Sequence, residues 1–167
     1  MVTVQNFVAS IPGRRFQLMN AFVSDYAQYD HAACKILLGR LEAAARQKRL
    51  VTYDEFVRGV SFVVPDRNQS MPMVARTVDT TVLKTEDEAM IHDFGRYLAA
   101  ATYRDSAVFL NALLVRSKTN PYPSAHFFDW LRRIGMLYAT DRSAEQDYWL
   151  KSVATIHKVY GESLTIN

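Results

Sequence analysis

The sequence predicts a mainly helical α+β domain, with a small antiparallel sheet and a C-terminal helix packed on the core. Apolar residues recur at helical spacing over most of the chain, which is typical of amphipathic helices. A single stretch, residues 107–117, is rich in Val, Leu and Phe and is bounded by polar residues, as strands are. The length of 167 residues suits one folding unit better than two domains with separate cores.

The composition excludes several classes of protein. Apolar residues make up 49% of the chain and aromatic residues 12%, so a packed core is expected and a wholly disordered chain is not. The single cysteine, Cys34, allows neither an intrachain disulfide nor a cysteine-based zinc site. No apolar run is long enough to cross a bilayer, and the N-terminus lacks the pattern of a secretory signal. We therefore expect no membrane partner and a cytoplasmic location.

Residues 1–30 are expected to form an N-terminal helical segment. The turn-forming sequence Ile11-Pro12-Gly13 precedes apolar residues at helical spacing between Phe16 and Tyr26. This spacing predicts a first helix after the turn.

Residues 31–137 are expected to form the core of the domain, and this core begins with two helices. The first is predicted from Ala32 to Lys48, and its apolar stripe consists of Ala33, Ile36, Leu37, Leu41, Ala44 and Ala45. Thr52 and Glu55 then have the spacing of a capping box, which predicts a short helix ending near Val60.

An irregular connection is expected over residues 62–84, because prolines and Asn68 interrupt every period there. The sequence Thr85-Glu86-Asp87-Glu88 then predicts a second capping box at the start of a helix that runs to about Tyr103. The apolar residues on this helix predict that it buries Met90, Ile91, Phe94, Leu98 and Ala101.

The last elements are a strand and two helices. The strand is predicted over Ala107–Ser117 and ends before two prolines. A helix capped by Ser124 is then expected to run to Leu137. Residues 138–167 are assigned to a C-terminal helix from Ser143 to Tyr160, with Gly161 in the left-handed conformation that often ends helices.

Two stretches resemble known proteins. Residues 36–60, which contain Val51-Thr52-Tyr53 followed by Glu55-Phe56, resemble the entry into the helix-turn-helix of winged-helix domains. The resemblance implies a winged-helix-like core over residues 31–137 and binding to nucleic acid. Residues 91–128 resemble a module of uncharacterised small bacterial proteins, which implies no particular activity.

Basic residues indicate where a nucleic acid would be held. The first 78 residues contain ten basic and six acidic side chains, so the positive excess of the chain lies in this half. A compact helix-turn-helix would bring several cations to one edge, where they could contact phosphates. The residues expected at this edge, including two at the end of the predicted strand, are Arg46, Lys48, Arg49, Arg58, Arg116 and Lys118.

A protein partner is the alternative. Aromatic residues and arginines are the usual anchors of protein interfaces, and they surround the Asn120-Pro121-Tyr122-Pro123 turn. On this hypothesis the chain is a regulator or inhibitor from a bacterium or mobile element. Its partner would contact Tyr122, Trp130, Arg132 and Arg133.

No catalytic residue, metal ligand or cofactor is expected. The four histidines, His31, His92, His126 and His157, are scattered and include no pair at the spacing of a helical metal site. The few glycines form no phosphate-binding loop. Cys34 lies beside the apolar stripe of its helix, where packing is the common role of a cysteine. These patterns predict a protein that binds rather than an enzyme.

Overall fold

The computed structural model describes residues 24–66, 73–103 and 108–162, and it has the mainly helical α+β fold that the sequence predicts. The α-helices within these ranges are α1 (His31–Arg46), α2 (Tyr53–Val57), α3 (Thr85–Thr102), α4 (Ala125–Arg133) and α5 (Arg142–Glu162). Two 3₁₀ helices lie at Ala27–Tyr29 and Leu110–Leu113. The predicted first helix falls largely on residues 1–23, which lie outside the described ranges.

The strands form two separate pairs. β1 (Val51–Thr52) pairs in parallel with β4 (Leu114–Val115). β2 (Phe62–Pro65) and β3 (Met73–Arg76) pair antiparallel, with Val63 opposite Ala75. The prediction of an irregular connection over residues 62–84 is therefore wrong for these two segments. Pro65 is compatible with a strand because it stands at the end of β2, where the missing donor matters least.

The predicted strand over residues 107–117 is also corrected. Most of its described part forms the 3₁₀ helix Leu110–Leu113, and only Leu114 and Val115 extend as β4. All residues from Val108 to Val115 are buried. A fully buried segment is apolar on every side, so its sequence shows no period that separates a strand from a helix.

Helix α1 begins at a carboxylate that accepts hydrogen bonds from two backbone N–H groups. Asp30 is the N-cap, and its Oδ1 accepts from the Ala33 N–H at 2.9 Å. Its Oδ2 accepts from the Val63 N–H at 2.7 Å, so this buried carboxylate also ties β2 to the helix start. The predicted stripe is buried except for Ile36, which is 48% exposed.

Helix α3 is the central element of the core. Met90, Ile91, Phe94 and Leu98 are buried, as predicted, and Ala101 is half-buried. The helix also buries Asp93, whose carboxylate accepts from the Ser24 hydroxyl at 2.8 Å and from the N–H groups of residues 25, 26 and 27. This carboxylate therefore holds the start of the first 3₁₀ helix against α3. The N-cap of α3 is Lys84, one residue before the predicted Thr85, and the Asp87 carboxylate accepts from its N–H at 3.4 Å.

Helix α4 is shorter than predicted because Gly135 ends it. Gly135 has a φ of 72°, and the Met136 N–H donates to the Leu131 carbonyl at 2.8 Å. This left-handed residue followed by a long backbone bond is a Schellman motif, which stops a helix. Gly161, in contrast, lies within α5, so the predicted left-handed end at that position is wrong.

Helix α5 packs on α1 and on the second 3₁₀ helix. The Trp149 indole N–H donates to the Ala112 carbonyl at 2.8 Å, and Ile156 is fully buried. Among the helices in the described ranges, none has both the length and the apolar character needed to cross a membrane.

Candidate nucleic-acid interface

The turn between α1 and α2 places Arg49 beside α2. The Lys48 N–H donates to the Ala45 carbonyl at 3.2 Å, and the Arg49 N–H donates to the Ala44 carbonyl at 3.0 Å. These two bonds form a Schellman motif with Lys48 at the left-handed position, where its φ is 54°. After this reversal, Arg49 Nη1 lies 3.6 Å from Glu55 Oε2.

Helix α2 starts with the predicted capping box. Thr52 Oγ1 accepts from the Glu55 N–H at 3.2 Å, and Glu55 Oε2 accepts from the Thr52 N–H at 3.1 Å. Tyr53, Phe56 and Val57 are buried, which seats this short helix on the core. The Glu55 carboxylate is consequently fixed at the start of α2.

The parallel pairing of β1 with β4 brings a distant part of the chain to α2. Thr52 is opposite Val115, so the residues after β4 leave the sheet next to the start of α2. Lys118 Nζ lies 3.7 Å from Glu55 Oε1, and Arg116 Nη2 donates to Glu88 Oε1 at 2.8 Å. Glu55 therefore accepts ion pairs from two cations on its two oxygens.

Two adjoining clefts lie around Glu55 and Arg58. One is an open cleft of about 420 Å³ whose lining includes Arg58, Arg116 and Lys118. The second, of about 350 Å³, is lined by Arg40, Arg49, Val51, Glu55 and Arg58. Four predicted cations thus line these clefts, and we call them the basic edge: Arg49, Arg58, Arg116 and Lys118.

Each cation of the basic edge has a carboxylate partner. Arg58 pairs with Asp54 one turn before it, Arg49 and Lys118 pair with Glu55, and Arg116 pairs with Glu88. The side chains of Arg58 and Lys118 are nevertheless 74% and 83% exposed. Exposed ion pairs of this kind contribute about 0 to 1 kcal/mol each. A phosphate could therefore replace a carboxylate partner at little energetic cost.

The other two predicted cations, Arg46 and Lys48, line neither cleft. Arg46 lies 3.7 Å from Glu42 on α1. Lys48 lies toward the end of α5, since a Cβ built on Gly161 would be 3.8 Å from its Cε. The structure therefore brings together four of the six predicted residues.

Arg40 also belongs to this region, although it is not among the residues predicted from the sequence. Its guanidinium donates to the Phe56 carbonyl at 2.8 Å and to the Arg58 carbonyl at 2.9 Å. It thus satisfies backbone acceptors at the end of α2. Arg40 follows Leu37 by three residues and precedes Ala44 by four, so it lies on the same face of α1 as the apolar stripe. A cation at this spacing is the sequence pattern from which its role could have been predicted.

The helix that would follow α2 in a winged-helix domain is replaced by strands. Between α2 and α3, the described residues form β2 and β3 and contain no helix. The basic edge is therefore built by the α1–α2 turn and by the residues after β4.

The residues of the alternative protein interface are mostly packed. Trp130 is 4% exposed. The Tyr122 ring packs on Phe128 and Trp149. Arg132 donates to the Ala139 carbonyl at 3.0 Å and to Glu145 at 2.5 Å. Of the four predicted residues, Arg133 alone is exposed, whereas Tyr122 and Arg132 are half-buried.

His92 is buried and hydrogen bonded. Its Nε2 lies 3.1 Å from both the Tyr53 hydroxyl and the Ser124 hydroxyl. Burial, together with the smaller effects of His126, Arg96 and Arg116, lowers the pKa of His92 to about 3, so the ring is neutral at pH 7. The Ser124 hydroxyl is within reach of a neutral histidine, as in a nucleophile and base pair. The adjoining cavity, however, has only about 10 Å³, which leaves no room for a substrate.

The remaining candidates for chemistry are also accounted for. Burial raises the pKa of Cys34 to about 12, so its thiol stays protonated and unreactive at neutral pH. In the described ranges, no three His, Cys, Asp or Glu side chains are placed to hold a metal ion.

Comparison of the chain with protein-family models, with curated proteins and with solved structures finds no match.

Proposed function

We propose that the chain is a non-enzymatic binding protein that contacts nucleic-acid phosphates through the basic edge. The observation that carries this proposal is the convergence of Arg49, Arg58, Arg116 and Lys118 on two adjoining clefts. These residues come from segments about 60 positions apart in sequence, and the β1–β4 pairing joins them. Arginine and lysine at one exposed edge are the usual means of holding phosphates.

The basic edge is better suited to contacts with phosphates than to sequence-specific contacts with base edges. Its cations are exposed and lie around an open surface, and no helix in the described ranges follows α2 directly to enter a groove. Contacts to phosphates position a protein on nucleic acid without selecting a sequence. We therefore propose binding with little sequence preference.

The alternative, a regulator or inhibitor that binds a protein through Tyr122, Trp130, Arg132 and Arg133, has less support. A partner needs exposed anchors, whereas Trp130 is buried and Arg132 is engaged with Glu145.

A mobility-shift titration with duplex and single-stranded probes at several salt concentrations tests the proposal. Four phosphate contacts would give a slope of log affinity against log salt concentration of about −3.6 on the duplex and about −2.8 on the single strand. Replacing any one residue of the basic edge by alanine should make this slope shallower by about 1, for all sequences alike.

Arg46→Ala and Lys48→Ala are the matched controls, because they remove the same charge from side chains that line neither cleft. Their slopes should stay close to that of the wild type. Absence of binding at low salt, or equal losses in the controls, would overturn the proposal.

A further inference from the structure

A small cavity lies where α3, the second 3₁₀ helix and α4 meet. Its volume is about 10 Å³. The cavity shares no lining residue with the two clefts of the basic edge. It is lined by His92, Gly95, Arg96, Asn111, Leu114, Ser124, His126 and Phe127. A volume of roughly 10 to 15 Å³ is what one water molecule needs, and it excludes larger ligands.

The cavity contains a buried acceptor that the protein does not satisfy. Asn111 is 6% exposed, and its Oδ1 receives no hydrogen bond from any donor in the described part of the chain. A buried polar atom without a partner costs about as much as a lost hydrogen bond. Such atoms in native proteins are usually paired with an ordered water.

Donors lie on the other side of the same cavity. Ser124 is the N-cap of α4, but its side chain does not cap the helix, because its hydroxyl bonds to His92 instead. The first-turn residues His126 and Phe127 line the cavity, as does the cationic side chain of Arg96. The Phe127 N–H already donates to the Ser124 carbonyl at 3.1 Å. The His126 N–H is therefore the backbone donor that this uncapped helix start offers to a water oxygen.

We propose that this cavity is a binding site for one ordered water molecule. The water donates one hydrogen bond to Asn111 Oδ1 and accepts from a donor at the start of α4 or from Arg96. It links the second 3₁₀ helix to the start of α4 or to α3, and the Asn111 acceptor is then satisfied.

The direct test is a high-resolution crystal structure of the full chain. We expect a density peak inside the cavity, within hydrogen-bonding distance of Asn111 Oδ1. Cross-relaxation between water and the backbone amides of α4 reports the same molecule in solution. An empty cavity in the crystal, with no water contact to these amides, would overturn the proposal.

Two glycine variants test the proposal through stability. Gly95→Ala adds a methyl group beside the cavity at ordinary contact distance, 3.5 Å from Asn111 Cβ, and would displace the water. Gly39→Ala is the matched control, because it makes the same helix-favouring change where nothing lies within 4 Å. The urea midpoint should rise for Gly39→Ala and should be lower for Gly95→Ala than for this control.

If the cavity were dry, the added methyl would fill a void, and Gly95→Ala would stabilise at least as much as Gly39→Ala. That result would contradict the proposal. The difference between the two variants should also shrink when Asn111 is replaced by Leu, since the acceptor that needs the water is then absent.

Discussion

Lys48 has a backbone conformation that lysine disfavours. Its φ is 54°, and no other non-glycine residue in the three described ranges has a positive φ. The left-handed conformation costs an L-residue roughly 1 to 2 kcal/mol. The Schellman motif at the end of α1 requires that conformation, so the turn forms in spite of this unfavourable energy.

Lys48→Gly should therefore raise the free energy of unfolding by about 1 kcal/mol, because glycine adopts a positive φ without strain. Urea unfolding measures the change. Gln47→Gly is the control, since Gln47 has a φ of −81° and gains nothing from glycine. Loss of stability in Lys48→Gly would show that the lysine side chain stabilises the fold by more than the backbone strain costs.

His92 makes the stability depend on pH. Burial lowers its pKa from 6.5 to about 3 in the folded protein, whereas the unfolded chain keeps a value near 6.5. Between these values the unfolded state binds more protons, so the free energy of unfolding falls as the pH falls from 6.5 toward 3. At pH 5 the loss from this group should be about 2 kcal/mol relative to pH 7.

Urea unfolding of the wild type and of His92→Gln at pH 7 and pH 5 measures this effect. The variant should lose less stability on acidification, because glutamine does not titrate. Identical pH dependence in His92→Gln and the wild type would contradict the expected shift of the pKa.

At the scale of elements, α2 combines a structural and an electrostatic role in one residue. Glu55 completes the capping box that starts the helix, and its oxygens also pair with Arg49 and Lys118. The proposed phosphate ligand must compete with this carboxylate for both cations. We therefore expect Glu55 to limit the affinity of the basic edge for a phosphate.

Glu55→Gln should raise the affinity for nucleic acid about fivefold at low salt, equal to roughly 1 kcal/mol, the upper range of an exposed ion pair. Glutamine preserves the capping box, so α2 should stay formed. Glu42→Gln removes the same charge beside Arg46, outside both clefts, and should leave the affinity unchanged. The mobility-shift titration measures both variants, and equal affinities for Glu55→Gln and the wild type would refute competition by Glu55.

At the scale of the whole molecule, α5 is joined to the core by Trp149. Its indole N–H donates to the Ala112 carbonyl, and its ring packs against Tyr122. The buried apolar residues of all five α-helices belong to one contiguous cluster. This packing favours the expectation of a single cooperative unit.

Trp149→Phe should lower the free energy of unfolding by about 2 kcal/mol, through the lost hydrogen bond and the smaller ring. Unfolding followed by circular dichroism and by the fluorescence of Trp130 should still coincide, as one cooperative transition requires. Tyr138→Phe, at a side chain that is 86% exposed, is the neutral control. Separate transitions would contradict the single folding unit.

Local sequence patterns were sufficient to predict several of the helices. The amphipathic spacing of α1, α3 and α5 and the capping box of α2 depend on residues close in sequence, and the structure confirms them. The Schellman ends at Lys48 and Gly135 were not recognised, since such a turn depends on a single backbone conformation. The secondary structure of residues 108–115 was predicted wrongly, because complete burial removes the hydrophobic period that distinguishes a strand from a helix.

The sequence by itself determined that this chain is mainly helical and which charged residues were candidates for binding. Only the tertiary structure decided which of those residues meet. The β1–β4 pairing brings Arg116 and Lys118 to α2, whereas the turn at Lys48 directs its own side chain toward α5. Helical periodicity is a local property, but the position of a side chain across the fold depends on contacts between distant segments, which no local pattern contains.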